Sequence, residues 1–70
     1  MIRYDPFWRT LKKKHISQYM LTEYYEISSS TLSKMKHNKI CSLHTIDRLC
    51  DILDCSIFDI VEYYKEEPKK

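Results

Sequence analysis

Apolar residues recur along this chain at helical spacing, in short bursts separated by polar punctuation. Phe7, Trp8 and Leu11 form the apolar side of a first burst, with Arg9, Lys12, Lys13 and Lys14 on its wet side. Asp5-Pro6 marks its start: Asp caps, and Pro takes the first helical position, where a missing N–H costs nothing. The lysines at its far end suit the carbonyl pole of a helix. After the link His15-Ile16, Ser17 reads as the cap of a second helix carrying Gln18, Met20, Leu21 and Tyr24, with Tyr25 sharing the face of Leu21. Glu26-Ile27 makes a bend, plugged by the Ile27 side chain. Ser28 caps a third helix that runs to about Lys36, turns Leu32 and Met35 inward, and ends near Asn38, a residue that tolerates left-handed backbone.

Ser42 then caps a fourth helix, whose Leu43, Ile46, Leu49, Cys50 and Leu53 make the most regular apolar stripe in the chain. Asp54-Cys55 breaks it, and Ser56 caps a short fifth helix, Ile57 to Val61. Ile2-Arg-Tyr4 and Glu62-Tyr63-Tyr64 are β-prone. Pairing of Ile2-Arg-Tyr4 with Val61 to Tyr64 as a two-stranded ribbon is a second possibility, although strands so short are marginal alone. The reading is all-α, with five short helices in one domain over residues 1–64 and a charged tail, 65–70, expected to fray.

Composition narrows the picture. Seventy residues allow one small core. The absence of Gly and the presence of two Pro argue against a turn-rich β fold, and 43% hydrophobic residues argue against disorder. No apolar run approaches the roughly 18 residues of a membrane span. The opening Met-Ile-Arg-Tyr-Asp lacks the apolar run of a secretory leader, so a cytoplasmic location and no membrane partner are expected. The net charge of +2 is uneven: residues 1–48 hold nine Lys or Arg against four acids, residues 49–70 three against six. The basic half contains the second and third helices, which fits a nucleic-acid face there.

Two short helices joined by a turn of three or four residues form the helix-turn-helix arrangement, whose second helix enters the major groove of DNA. Here the stretch Ser17 to Met35 fits it, and the outward face of the third helix is Ser29, Ser30, Ser33 and Lys34. Hydroxyls both donate and accept, so the serines discriminate bases weakly. The Thr31 methyl suits a thymine methyl, and Lys34 reaches guanine O6/N7 or a phosphate. Ser17, Gln18 and the free N–H groups of the second helix make one phosphate anchor. Lys36, His37, Asn38 and Lys39, with Ser42 and Thr45, make a second. Taken alone, the serine run reads as capping and solvation; the surrounding two-helix pattern favours DNA contact.

The same residues resemble the Cro/repressor-type, or lambda-repressor-like, helix-turn-helix family over roughly Phe7 to Val61. Ser17-Gln18 matches the family's opening of helix two, Leu21-Thr22 its Leu and small residue, and Glu26-Ile27-Ser28 its Gly, apolar residue and Ser. Leu32 and Met35 match the inner positions of the recognition helix, Asn38 the Gly-containing loop, Ser42-Leu43-His44-Thr45-Ile46 the start of the next helix, and Asp54 to Ile60 the closing segment. Glu26 departs from the pattern, which puts a non-Gly residue at positive φ at a cost of about 1 kcal/mol or more. Thr22 stands for the usual Ala. The resemblance implies a small bacterial, phage or mobile-element transcription regulator, with a dimer contact from its last helix.

Other chemistries fit less well. His37, Cys41, His44 and Cys50 are of metal-ligand type, but no C-x-x-C occurs and Cys50 lies on an apolar stripe, so no metal and no cofactor are expected. Cys41 with His44, or His37 with Asp47, lacks a third group and a pocket for catalysis, so no enzymatic activity and no small-molecule substrate are expected. Phe58, Val61, Tyr63 and Tyr64 exceed what so small a core can bury and are expected at a two-fold interface. The sequence therefore points to sequence-specific binding of double-stranded DNA by a homodimeric regulator, a repressor by steric occlusion, reading the major groove with residues 28–36. The rival is a protein-interaction module or antitoxin-like partner using the aromatic end.

Overall fold

The computed structural model describes residues 1–65; all but the first residue of the expected charged tail lies outside the described residues. In chain order come strand β1 (Ile2–Arg3), helices α1 (Asp5–Lys13), α2 (Gln18–Tyr24), α3 (Ser29–Lys36) and α4 (Leu43–Leu53), a 3₁₀ turn (Ile57–Asp59) and strand β2 (Glu62–Tyr63). The all-α reading holds for four helices. The expected fifth is a single 3₁₀ turn, because the chain must swing back at once to place β2 against β1. The two strands pair antiparallel, Ile2 opposite Tyr63 and Arg3 opposite Glu62. The ribbon is extended at its end: the Met1 ammonium donates to the Tyr64 carbonyl (2.7 Å) and the Tyr64 N–H to the Met1 carbonyl (2.8 Å). A ribbon too short to stand alone is stable here because Ile2 and Val61 pack on the core.

The core is built from Tyr4, Phe7, Leu11, Leu21, Ile27, Leu32, Met35, Ile46, Leu49, Leu53 and Ile60. Helical periodicity predicts most of it. Leu43 is the exception: it opens α4 and is 79% exposed, so the buried stripe begins one turn later, at Ile46. Tyr4 is the unforeseen member. Buried to 1%, its hydroxyl donates to the Lys39 carbonyl (2.7 Å) and accepts from the Cys41 N–H (3.1 Å). Its own N–H donates to Asn38 Oδ1 (3.2 Å), so the N-terminal segment is bound to the α3–α4 loop. Thr10, the other buried polar side chain, donates to the Asp59 carbonyl (2.8 Å) and joins α1 to the 3₁₀ turn.

The caps follow the sequence closely. Ser17, Ser28 and Ser42 each accept, through Oγ, the N–H three residues on, at 3.1–3.2 Å. Ser56 donates its N–H to the Asp59 carboxylate (3.3 Å). At α1 the expected cap is displaced by one residue: Tyr4 occupies the N-cap, and Asp5 is the first helical residue, its carboxylate paired with Arg3 Nε at 3.1 Å.

In a chain without Gly, every left-handed turn falls to another residue. His15 (φ 58°), Glu26 (φ 57°), Asn38 (φ 55°) and Asp54 (φ 50°) take them. Asn and Asp accept this conformation readily; His tolerates it and Glu least of all. Glu26→Gly is therefore expected to stabilise the fold by about 0.5–1 kcal/mol, read as a higher urea midpoint at unchanged m-value. No helix of the described residues is long and apolar enough to cross a membrane.

Candidate nucleic-acid interface

α3 is fixed in rotation by its inner side chains. Leu32 and Met35 are 3% and 0% exposed, whereas Ser29, Ser30, Ser33 and Lys34 are all exposed. Turning the serine face inward would expose both apolar side chains, at about 1.5–3 kcal/mol each. The polar face is thus held outward by the core beneath it. Two hydroxyls organise its start: Ser28 Oγ lies 2.8 Å from Thr31 Oγ1, so Thr31 is half-buried with its hydroxyl engaged in the cap. The same pattern recurs at α4, where Ser42 Oγ and Thr45 Oγ1 lie 3.1 Å apart and Thr45 is half-buried.

The bend before α3 is stapled from a distance. The Ile27 N–H donates to the Leu21 carbonyl (3.0 Å), and Arg48 of α4 donates through Nη2 to the Tyr25 carbonyl (2.8 Å) at the end of α2. Arg48 also lines a groove of about 190 Å³ with Glu26, Ser28, Thr31, His44 and Thr45. α4 thereby holds the end of α2, from which the bend into α3 starts. Arg48→Met leaves the Tyr25 carbonyl without that donor and is expected to cost about 1–2 kcal/mol of stability, measured by urea unfolding.

A second groove, of about 240 Å³, runs between α2 and α3 and brings Gln18, Ser29, Ser33 and Lys36 together, with Tyr19 and Thr22 beside them. Ser17, Lys36, His37, Lys39 and Ser42 are exposed. Asn38 is half-buried: its Oδ1 is taken by Tyr4, and its backbone is the left-handed turn that sends the chain into the basic loop. Lys34 and Lys36 fall in the last turn of α3, and the His37 and Lys39 N–H groups both donate to the Lys34 carbonyl (3.2 and 2.9 Å), which holds the loop against the helix end.

Sequence reasoning missed Tyr19, Thr22, His44 and Arg48 as neighbours of this face. Gln18 and Thr22 are four apart, so their shared face was readable; the Arg48 contact spans 23 positions and was not. Among the described residues no group of three or more His, Cys, Asp or Glu side chains is placed to hold a metal ion. Cys50 and Cys55 are half-buried, and burial raises both thiol pKa values, with Asp47 adding to the rise at Cys50 and the Cys50 thiol to that at Cys55.

Two capped helices meeting at a tight bend, the second locked by its core side and bare on its hydroxyl- and lysine-bearing side, define a helix-turn-helix domain. The chain belongs to the Cro/C1-type HTH DNA-binding domain family, whose model matches residues 7–66. It is similar to the crystal structure of the transcriptional regulator VanUg (Form II), with a TM-score of 0.83 and 29% identity, over 93% of this chain and 87% of that one. No curated protein matches it.

Proposed function

We propose that residues 1–64 act as a single domain that binds double-stranded DNA sequence-specifically and regulates transcription, as a repressor that occludes its site. α3 enters the major groove. Ser29, Ser30, Ser33 and Lys34 meet base edges. Thr31 contributes its methyl group, since its hydroxyl belongs to the helix cap. Ser17 and Gln18 contact phosphates on one side; Lys36, His37, Asn38, Lys39, Ser42 and Thr45 contact them on the other. The observation that carries the reading is the rotation of α3, with Leu32 and Met35 buried and the serines and Lys34 bare. Kinship supports the regulatory part: a Cro/C1-type domain over most of the chain, and a similar structure described as a transcriptional regulator. Selection of bound sites from a random duplex library tests it. A short enriched consensus is expected; recovery of unenriched sequence would reject sequence-specific reading.

The aromatic end supplies the second half of the proposal. Phe58 is 81% exposed and Tyr63 67%, and both line a hollow of about 420 Å³ with Ile2, Pro6, Ile57 and Val61. We assign Phe58, Val61, Tyr63 and Tyr64 to a homodimer interface, which implies a two-fold symmetric site. Sedimentation at tens of micromolar protein checks this. A dimer that Phe58→Ser converts to monomer is expected, and a monomer at every concentration, with and without duplex, would refute it.

A further inference from the structure

Between α1 and the start of α2 lies an open cleft of about 670 Å³ whose aromatic and cationic wall the DNA reading leaves unused. Trp8, Leu11, Ile16 and Tyr19 supply apolar surface, and Arg9 and Lys12 supply positive charge. Among the described residues no carboxylate lines it. Trp8 is half-buried and held edge-on against the core ring of Phe7, with centroids 4.7 Å apart and planes at 64°, so it offers a fixed aromatic surface. Tyr19 is 66% exposed. Arg9 and Lys12 are exposed, and among the described residues neither is in an ion pair. Ser17 and Gln18 line the cleft as well. They also form the first proposed phosphate anchor.

We propose that this cleft binds a small organic anion with a flat apolar body, such as an aromatic carboxylate or sulfonate, and that its occupancy excludes DNA from Ser17 and Gln18. The volume falls in the range of small-molecule sites, and the lining has their usual character of apolar surface with a few polar groups. Trp8 and Tyr19 suit a flat ring by stacking, and the two exposed cations, Arg9 and Lys12, suit an acidic group. Arg9 and Lys12 of α1 and Ser17 and Gln18 at the start of α2 line the cleft together with its apolar residues, so an occupant with both an acidic group and a flat apolar body fits it better than a wholly apolar one. The hydrophobic pattern shows no sign of this site, because it forms only where α1 meets the start of α2. The exclusion of DNA rests on the proposed DNA face; the binding of the anion does not.

The test is a titration of the full chain with 8-anilino-1-naphthalenesulfonate, followed by amide and indole NMR shifts, beside the uncharged N-phenyl-1-naphthylamine. Saturable shifts at the Trp8 indole and the Ile16–Tyr19 amides are expected. Lys12→Gln and Tyr19→Ala, both at exposed positions, are each expected to weaken binding by about fivefold, and the uncharged dye by about tenfold. Phe58→Ser is expected to leave it unchanged. Shifts confined to Ile57–Tyr64, or equal binding of the uncharged dye, would overturn the site. A labelled duplex in the same samples separates the two claims. Displacement of the dye by bound duplex supports exclusion, and a duplex that binds with the dye still seated overturns exclusion alone. A duplex that fails to bind at all counts against the DNA reading, with the dye shifts still deciding the cleft.

Discussion

Neutralising Lys34, Lys36 and Lys39 together is expected to weaken duplex binding by about a hundredfold or more near physiological salt. The three are exposed side chains on one helix end and the loop that follows it, so their loss leaves the core untouched and changes stability by no more than about 0.5 kcal/mol. Two effects add. As proposed phosphate contacts, Lys36 and Lys39 are each expected to contribute about 0.9 to the slope of log affinity against log salt, so the slope should fall by about two. Lys34, as a proposed base contact, is expected to carry about 1–3 kcal/mol of discrimination, so its loss alone should relax sequence preference at one position more than it flattens the salt dependence. Fluorescence anisotropy of a labelled selected duplex at several salt concentrations checks both. An unchanged slope in the triple variant would remove these lysines from the interface.

Tyr4→Phe is expected to be the most damaging single-atom change in the chain. The hydroxyl is buried and bridges the Lys39 carbonyl and the Cys41 N–H, so removing it leaves two loop groups without their partner at about 2–4 kcal/mol in total. The loop so released is the one that carries Lys36, His37 and Lys39, and DNA binding should fall with it. Burial also pushes the Tyr4 hydroxyl up from 10.0 to about 12. Between those values the unfolded chain gives up the Tyr4 proton while the folded chain keeps it, so rising pH favours unfolding. The contribution is fully present below pH 10 and is lost as the pH climbs through about 12, amounting to roughly 2–3 kcal/mol. Tyr64 is also raised, chiefly because its hydroxyl donates to the Glu62 carboxylate, but it is present in both proteins and cancels in their difference. Urea unfolding of the two proteins from pH 8 to pH 12 should show their stability gap closing above pH 10. A gap independent of pH would mean that the Tyr4 hydroxyl is not protected in the fold.

How far the sequence could be read depends on the range of the interactions involved. Ser17, Ser28 and Ser42 cap through N–H groups three residues away, and Leu32 and Met35 share a face by helical period; such signals are local and legible. So was the strain at Glu26, visible once its place in the bend was known. Tyr4 is of the other kind. A β-prone residue beside a helix start gives no sign that its hydroxyl will meet Lys39 and Cys41, more than thirty positions on. Arg48 reads as a surface cation on α4 until the fold brings it to Tyr25. The fifth helix failed because Ser56 reads as a cap and Ile57, Ile60 and Val61 share helical spacing, yet β2 must return to β1 within a few residues. Leu43 failed because it opens α4 one turn before the helix meets the core at Ile46.

One spectrum tests the central claim most directly: amide NMR of the full chain with and without a duplex recovered by selection. The account predicts the largest shifts and line broadening at Ser29, Ser30, Ser33 and Lys34, with smaller ones at Gln18 and Lys39. Unmoved α3 amides, with the changes gathered at Ile57–Tyr64 instead, would contradict it.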